Sequence, residues 1–130
     1  MKYITIKYIL KLHDKLIEAT GGTNGVRDLE ILKSSVENSK VTFYGQELYP
    51  IIESKCANIC FNIIKNHAFV DGNKRTGIYV MLVLLEYNNI KIGFSQNELV
   101  NFAVDIASDK IGQKGIVKRK NINIVKLTGR

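Results

Sequence analysis

The sequence predicts an all-α domain, a compact helical bundle around one central buried helix. Three observations carry that prediction. Apolar residues recur at helical spacing in one segment after another. Most of these segments open on a capping residue or a proline and close on glycine or asparagine. The run from Ile78 to Leu85 is apolar on every side, as expected of a helix enclosed by others. With 130 residues and no linker or internal repeat, residues 1–130 read as a single domain large enough to bury a core.

The elements follow in order. Thr5 can cap a first helix with apolar positions Ile6, Ile9, Leu10, Leu12, Leu16 and Ile17, closed by Gly21-Gly22. His13 lies inside it and reads as packing rather than as a ligand. Residues 21–25 are a loop by glycine content alone. Asp28 caps a second helix carrying Leu29, Leu32 and Val36, and Phe43 and Tyr44 follow in a less regular connection. Pro50 fits the first turn of a third helix, striped by Ile52, Cys56, Ile59, Cys60 and Ile63 and running to about Asn66. A fourth helix spans Asn73 to Tyr87 and ends at Asn88-Asn89. Ser95 to Glu98 form a capping box for a fifth helix with Leu99, Phe102, Ala103 and Ile106. Ile122, Ile124, Val125 and Leu127 fit a short helix or a strand, with helix preferred from the company they keep.

The formal net charge of +7 favours acidic partners such as nucleotide phosphates, nucleic acid or an acidic protein segment. After Asp109 the chain has no acidic residue, only Lys110, Lys114, Lys118, Arg119, Lys120, Lys126 and Arg130, which read first as a solvated surface. A non-enzymatic protein acting on RNA or ribosomes through this basic surface is one function class to weigh. No aromatic-interleaved basic motif or helix-turn-helix pattern supports nucleic-acid recognition. No signal peptide is visible and no run reaches the ~20 apolar residues of a membrane span, so a cytoplasmic protein is expected. Cys56 and Cys60 share a helical face and read as small core residues, without the further partners a zinc site needs.

The chemistry concentrates in residues 67–77, His-Ala-Phe-Val-Asp-Gly-Asn-Lys-Arg-Thr-Gly. Gly72 permits a tight turn, after which Asn73, Lys74 and Arg75 occupy the first turn of the fourth helix. Cations there run against the usual preference at a helix N-terminus, and an anion such as a phosphate chain would hold them. Lysine offers a point charge and arginine a planar fork. Asp71 can pair internally or bind a magnesium ion that bridges phosphates. His67, across the loop, is of the residue type that takes a proton from an attacking hydroxyl near neutral pH. Phe69 should point inward and pin the loop to the core.

His67-Ala-Phe-Val-Asp71-Gly72-Asn73-Lys74-Arg75 resembles the signature loop of the Fic/Doc superfamily, specifically its death-on-curing (Doc) toxin branch. Gly21-Gly22 followed by Gly25-Val26-Arg27-Asp28 resembles a stretch that Doc proteins carry after their first helix, and helix order agrees over roughly residues 3 to 108. The resemblance implies a Fic fold and transfer of part of a nucleoside triphosphate to a protein hydroxyl. It implies His67 as general base, Asp71 as ligand of Mg2+, and Gly72, Asn73, Lys74 and Arg75 as the cradle for the phosphates of ATP. Phe69 would be a structural anchor of the loop. It also implies elongation factor Tu as target, arrest of translation, and a Phd-type antitoxin that neutralises the protein in trans.

Lys74 bears on the reaction type. Fic adenylyltransferases carry glycine there, leaving an open backbone nest, whereas a lysine side chain partly fills it and adds charge. In the Doc branch that exchange goes with a reversed nucleotide pose and transfer of the γ-phosphoryl group, so a kinase is expected and AMP transfer is the alternative. Built-in Fic inhibition uses a Ser/Thr-x-x-x-Glu-Gly/Asn helix. The nearest match ends at Glu37-Asn38 but begins with Lys33, so inhibition should come from a separate partner. Ala68 stands where many Fic loops have proline.

Overall fold

The computed structural model describes residues 1–90 together with Glu98. Apart from Glu98, the stretch expected to form a fifth helix, the segment around Ile122 and the basic tail lie outside the described residues. Among the described residues four helices form the body: α1 (Ile6–Thr20), α2 (Leu29–Glu37), α3 (Ile52–Asn66) and α4 (Asn73–Tyr87). The all-α expectation holds, with one addition. A single 3₁₀ turn, Asn38–Lys40, leads into a two-stranded antiparallel ribbon, β1 (Thr42–Phe43) and β2 (Gln46–Glu47).

The caps behave as the sequence suggests. Thr5 Oγ1 accepts the amide of Tyr8 at 3.0 Å, and Asp28 Oδ1 accepts that of Ile31 at 3.1 Å. Asn89 takes a left-handed backbone, φ 62°, just past α4. Pro50 is the exception, since it stands before the N-cap, Ile51, and not inside the first turn. There the Ser54 hydroxyl accepts the Ile51 amide at 3.2 Å and does the capping that proline cannot.

The ribbon replaces the irregular connection expected at Phe43 and Tyr44. Tyr44 and Gly45 both have positive φ, 50° and 76°, the backbone of a two-residue hairpin turn that matches strand twist. Strands of two residues leave no periodicity to read, and tyrosine is not the usual residue at such a turn.

The core lies between α3 and α4. Cys56, Ala57, Ile59, Cys60, Ile63 and Ile64 from α3 meet Ile78, Val80, Met81, Leu84 and Leu85 from α4, with Ile9, Leu32 and Val36 closing the sides. Both cysteines are buried and neither is in a disulfide. Burial is therefore shared by two helices, and Tyr79 of α4 remains exposed. Gly77 makes the close crossing possible: a Cβ there would lie 2.8 Å from Ile64 Cγ1 and 3.1 Å from the Cys60 carbonyl. This packing fixes the C-terminus of α3 beside the N-terminus of α4, with residues 67–72 between them.

Candidate functional site

The site begins where α3 ends. His67 is its C-cap and takes a left-handed conformation, φ 51° and ψ 55°. That backbone costs a side-chain-bearing residue about 1–2 kcal/mol, so its surroundings must hold it. The segment before α2 does so. Arg27 donates from Nε to the His67 carbonyl at 2.6 Å and from Nη2 to the Asn66 carbonyl at 2.8 Å. The amides of Arg27 and Asp28 both donate to the Ala68 carbonyl, at 2.8 and 3.0 Å, and the Val70 amide donates to the Gly25 carbonyl at 3.1 Å. Val26 and Phe69 thus form an antiparallel bridge.

The exposed imidazole of His67 has its Nδ1 3.2 Å from the Lys65 carbonyl. A carbonyl only accepts, so this bond requires the proton on Nδ1. That leaves Nε2 as the acceptor of the neutral ring.

The middle of the loop is folded by two buried side chains. Asn73 Oδ1 accepts the Phe69 amide at 3.0 Å while its Nδ2 donates to the Phe69 carbonyl at 2.9 Å, a closed reciprocal pair in the protein interior. His13, on α1, stacks on the Phe69 ring with centroids 3.9 Å apart and planes 11° from parallel. Its Nε2 donates to the Asp71 carbonyl at 2.7 Å, since a carbonyl cannot donate in return.

Asp71 is exposed and anchored through both oxygens. Oδ2 accepts the Thr23 amide at 3.1 Å and Oδ1 the Gly72 amide at 2.8 Å. Those two bonds, the Thr23 one foremost, hold the carboxyl below its ordinary pKa; partial burial opposes them, and His13 and Arg75 add smaller pulls in the same downward direction. The approach is close enough to demand glycine at position 22, where a Cβ would stand 2.6 Å from Asp71 Oδ2.

Gly72 then opens α4 at φ 77°, and among the described residues no side chain caps this helix. The amides of Asn73, Lys74 and Arg75 have no carbonyl acceptor within the helix, and Lys74 and Arg75 are exposed beside them. An uncapped positive helix end with two flanking cations is suited to an oxyanion such as a phosphate. Among the described residues no group of three or more His, Cys, Asp or Glu side chains is gathered to hold a metal. Asp71 uses two of the roughly four lone-pair sites of a carboxylate, which fits a hard ion held mainly by phosphates and water through one protein oxygen.

The family model of the Fic/DOC family matches residues 3–85, which contain α1 to α4 and the whole loop. The chain belongs to the Fic/DOC family. It is similar to Toxin Doc of Mycolicibacterium smegmatis, 34% identical over 95 residues that cover 73% of this chain and 68% of that protein. It is also similar to Protein kinase doc of Escherichia phage P1, 25% identical over 116 residues covering 89% of this chain and 90% of that one.

Within this Fic/DOC domain all seven sequence-predicted residues fall in one loop and the helix turn after it. Their circumstances differ. Phe69 is buried against His13, as an anchor would be. His67, Asp71, Lys74 and Arg75 are exposed, and Gly72 takes the turn conformation only glycine adopts freely. Asn73 was expected to hold phosphate, yet its side-chain amide is committed to Phe69, leaving its backbone N–H for an anion. His13, Thr23 and Arg27 were not foreseen as parts of the site. Only the Gly-rich stretch that contains Thr23 and Arg27 offered a signal, and it offered no role.

Proposed function

We propose that the protein transfers the γ-phosphoryl group of ATP to a hydroxyl of a translation factor, with elongation factor Tu as the first acceptor to test. In this reading it is the toxin of a toxin–antitoxin module. The observation that carries the reading is the pairing, across one rigid loop, of a histidine whose Nε2 is the free acceptor with an uncapped, cation-flanked helix N-terminus. The names of the two relatives, one a toxin and one a protein kinase, support the module and the reaction type.

The chemistry follows from those groups. Triphosphate oxygens settle on the amides of Asn73 to Arg75 and on the Lys74 and Arg75 side chains, which stabilise charge as it shifts in transfer. The acceptor hydroxyl donates to His67 Nε2. Its oxygen forms a bond to the γ-phosphorus as the bond to the ADP oxygen breaks, and the proton passes to the imidazole. A Mg2+ ion held by Asp71 and the phosphates would neutralise charge on the transferring group.

Regulation by a separate partner is also supported. Glu37, the residue nearest to a built-in inhibitory glutamate, pairs with Lys40 at 3.1 Å at the end of α2. That is about 13 Å along the helix from the capped end that touches the loop. We therefore expect an antitoxin of the Phd type acting in trans.

Purified chain, elongation factor Tu and ATP labelled at the α or the γ position test the reaction. Label from the γ position should reach the acceptor and disappear with His67→Ala. Label from the α position would instead establish AMP transfer, and no transfer of either would return the basic-surface reading, with ribosome binding that weakens steeply in salt.

A further inference from the structure

The last carbonyls of any α-helix lack donors within it, and many helices end on a residue in the left-handed position, usually glycine. Here that position holds His67, and the carbonyls of residues 66, 67 and 68 all turn to Arg27 and its neighbour. The Asn66 and His67 carbonyls belong to the two peptide planes on either side of the His67 Cα. A planar guanidinium that grips both fixes φ and ψ at that residue and therefore the direction of its Cα–Cβ bond.

Arg27 is exposed. Water can satisfy the same carbonyls, so these bonds add little to global stability, and what the fork supplies is orientation. Its mount is firm, because the Arg27 and Asp28 amides are both bonded to Ala68 and Asp28 caps α2. We propose that Arg27 is a positioning residue for the transfer reaction, aiming the His67 imidazole at the acceptor hydroxyl. This rests on the transfer reading above. A lysine at position 27 offers a point donor without the fork and holds one peptide plane at most.

The full chain, assayed with γ-labelled ATP and its acceptor, tests this. Arg27→Gln should lower kcat by about 10- to 100-fold, the cost of a misplaced catalytic group, while KM for ATP stays within twofold because the phosphate cradle lies on α4. Arg27→Lys should fall between Gln and wild type, and added guanidinium ion should restore part of the rate to Arg27→Ala. A second readout needs no activity. The chain has two histidines, so the imidazole nitrogens of His67 can be assigned by NMR against His13. Under mildly alkaline conditions His67 should show the Nδ1–H tautomer in wild type and a mixture in Arg27→Gln.

Unchanged tautomer signals, or a kcat within twofold of wild type, would overturn the proposal, as would a loss of melting temperature with no change in either. If Arg27→Gln does not fold, Arg27→Lys is read by the same criteria. If the wild-type chain transfers no label, the transfer reading has failed, and the imidazole measurement still decides whether Arg27 orders His67.

Discussion

The site loop, residues 67–72, and the ribbon Thr42–Glu47 are both short surface connections, and they are built in opposite ways. Each loop residue from His67 to Gly72 has a backbone group bonded to another part of the chain or to a side chain. The ribbon is held by its own pairing, by one bond from Leu48 to Val41 and by Lys55 beneath it, with Tyr44 92% exposed at the tip. The loop exposes its polar groups and Val70 and buries its aromatic residue, whereas the ribbon exposes both of its aromatic residues, Phe43 and Tyr44. The proposed transfer at the loop would need atoms fixed before substrate arrives. The ribbon fixes little and presents apolar surface.

The most severe way to break this contrast is Asn73→Ala. It removes both members of the reciprocal pair and strands the amide and carbonyl of Phe69 in the interior. An orphaned buried polar group costs roughly 1–3 kcal/mol, so a loss of about 2–5 kcal/mol is expected in urea unfolding. Amide exchange at Phe69 and Val70 should accelerate toward that of the ribbon. A destabilisation below ~1 kcal/mol would mean that Phe69 finds other partners and that the loop is not held as described.

Lys55→Met attacks the other side of the comparison, with a smaller effect. Lys55 is buried on α3, and its ammonium donates to Glu47 Oε1 at 2.8 Å and to the carbonyls of Tyr49 and Ser39. Methionine keeps the apolar stem but leaves those acceptors to solvent, at a cost of roughly 1–2 kcal/mol. Exchange at the Leu48 amide should rise while Phe69 and Val70 stay protected. Parallel loss of protection in both regions would show that ribbon and loop are coupled through α3 and are not independent units.

What was legible in the sequence divides along the same line. Thr5, Asp28 and Asn88 mark helix ends because caps act over three or four residues, and the α3 stripe was readable because period and burial coincide there. The loop stood out as a cluster of residue types. The ribbon escaped because two-residue strands have no period. Arg27, Thr23 and His13 escaped for a different reason: each acts on a residue about 40 to 60 positions away, through backbone atoms that carry no residue identity. The phosphate role of Asn73 came from the family resemblance. The partner of its side-chain amide, Phe69 four residues back, was hidden because such a side chain suits either task.

The mildest test concerns the carboxylate that joins the loop to the segment before α2. Asp71 sits below its ordinary pKa, chiefly through the Thr23 amide and then that of Gly72, so folding favours its ionised form. A depressed folded-state value contributes stability that is present above the ordinary carboxylate range and is lost as pH falls through the folded value. Asp71→Asn can accept one of the two amide bonds but not both, and it cannot titrate. The variant should therefore melt slightly below wild type at neutral pH, and the gap should close as the pH is lowered past the carboxylate range. Melting curves without added Mg2+ across pH 7 to pH 3 measure this. A gap that stays constant with pH would mean that the two amides recognise the shape of the side chain and not its charge, and Thr23 would then be a packing contact of the loop.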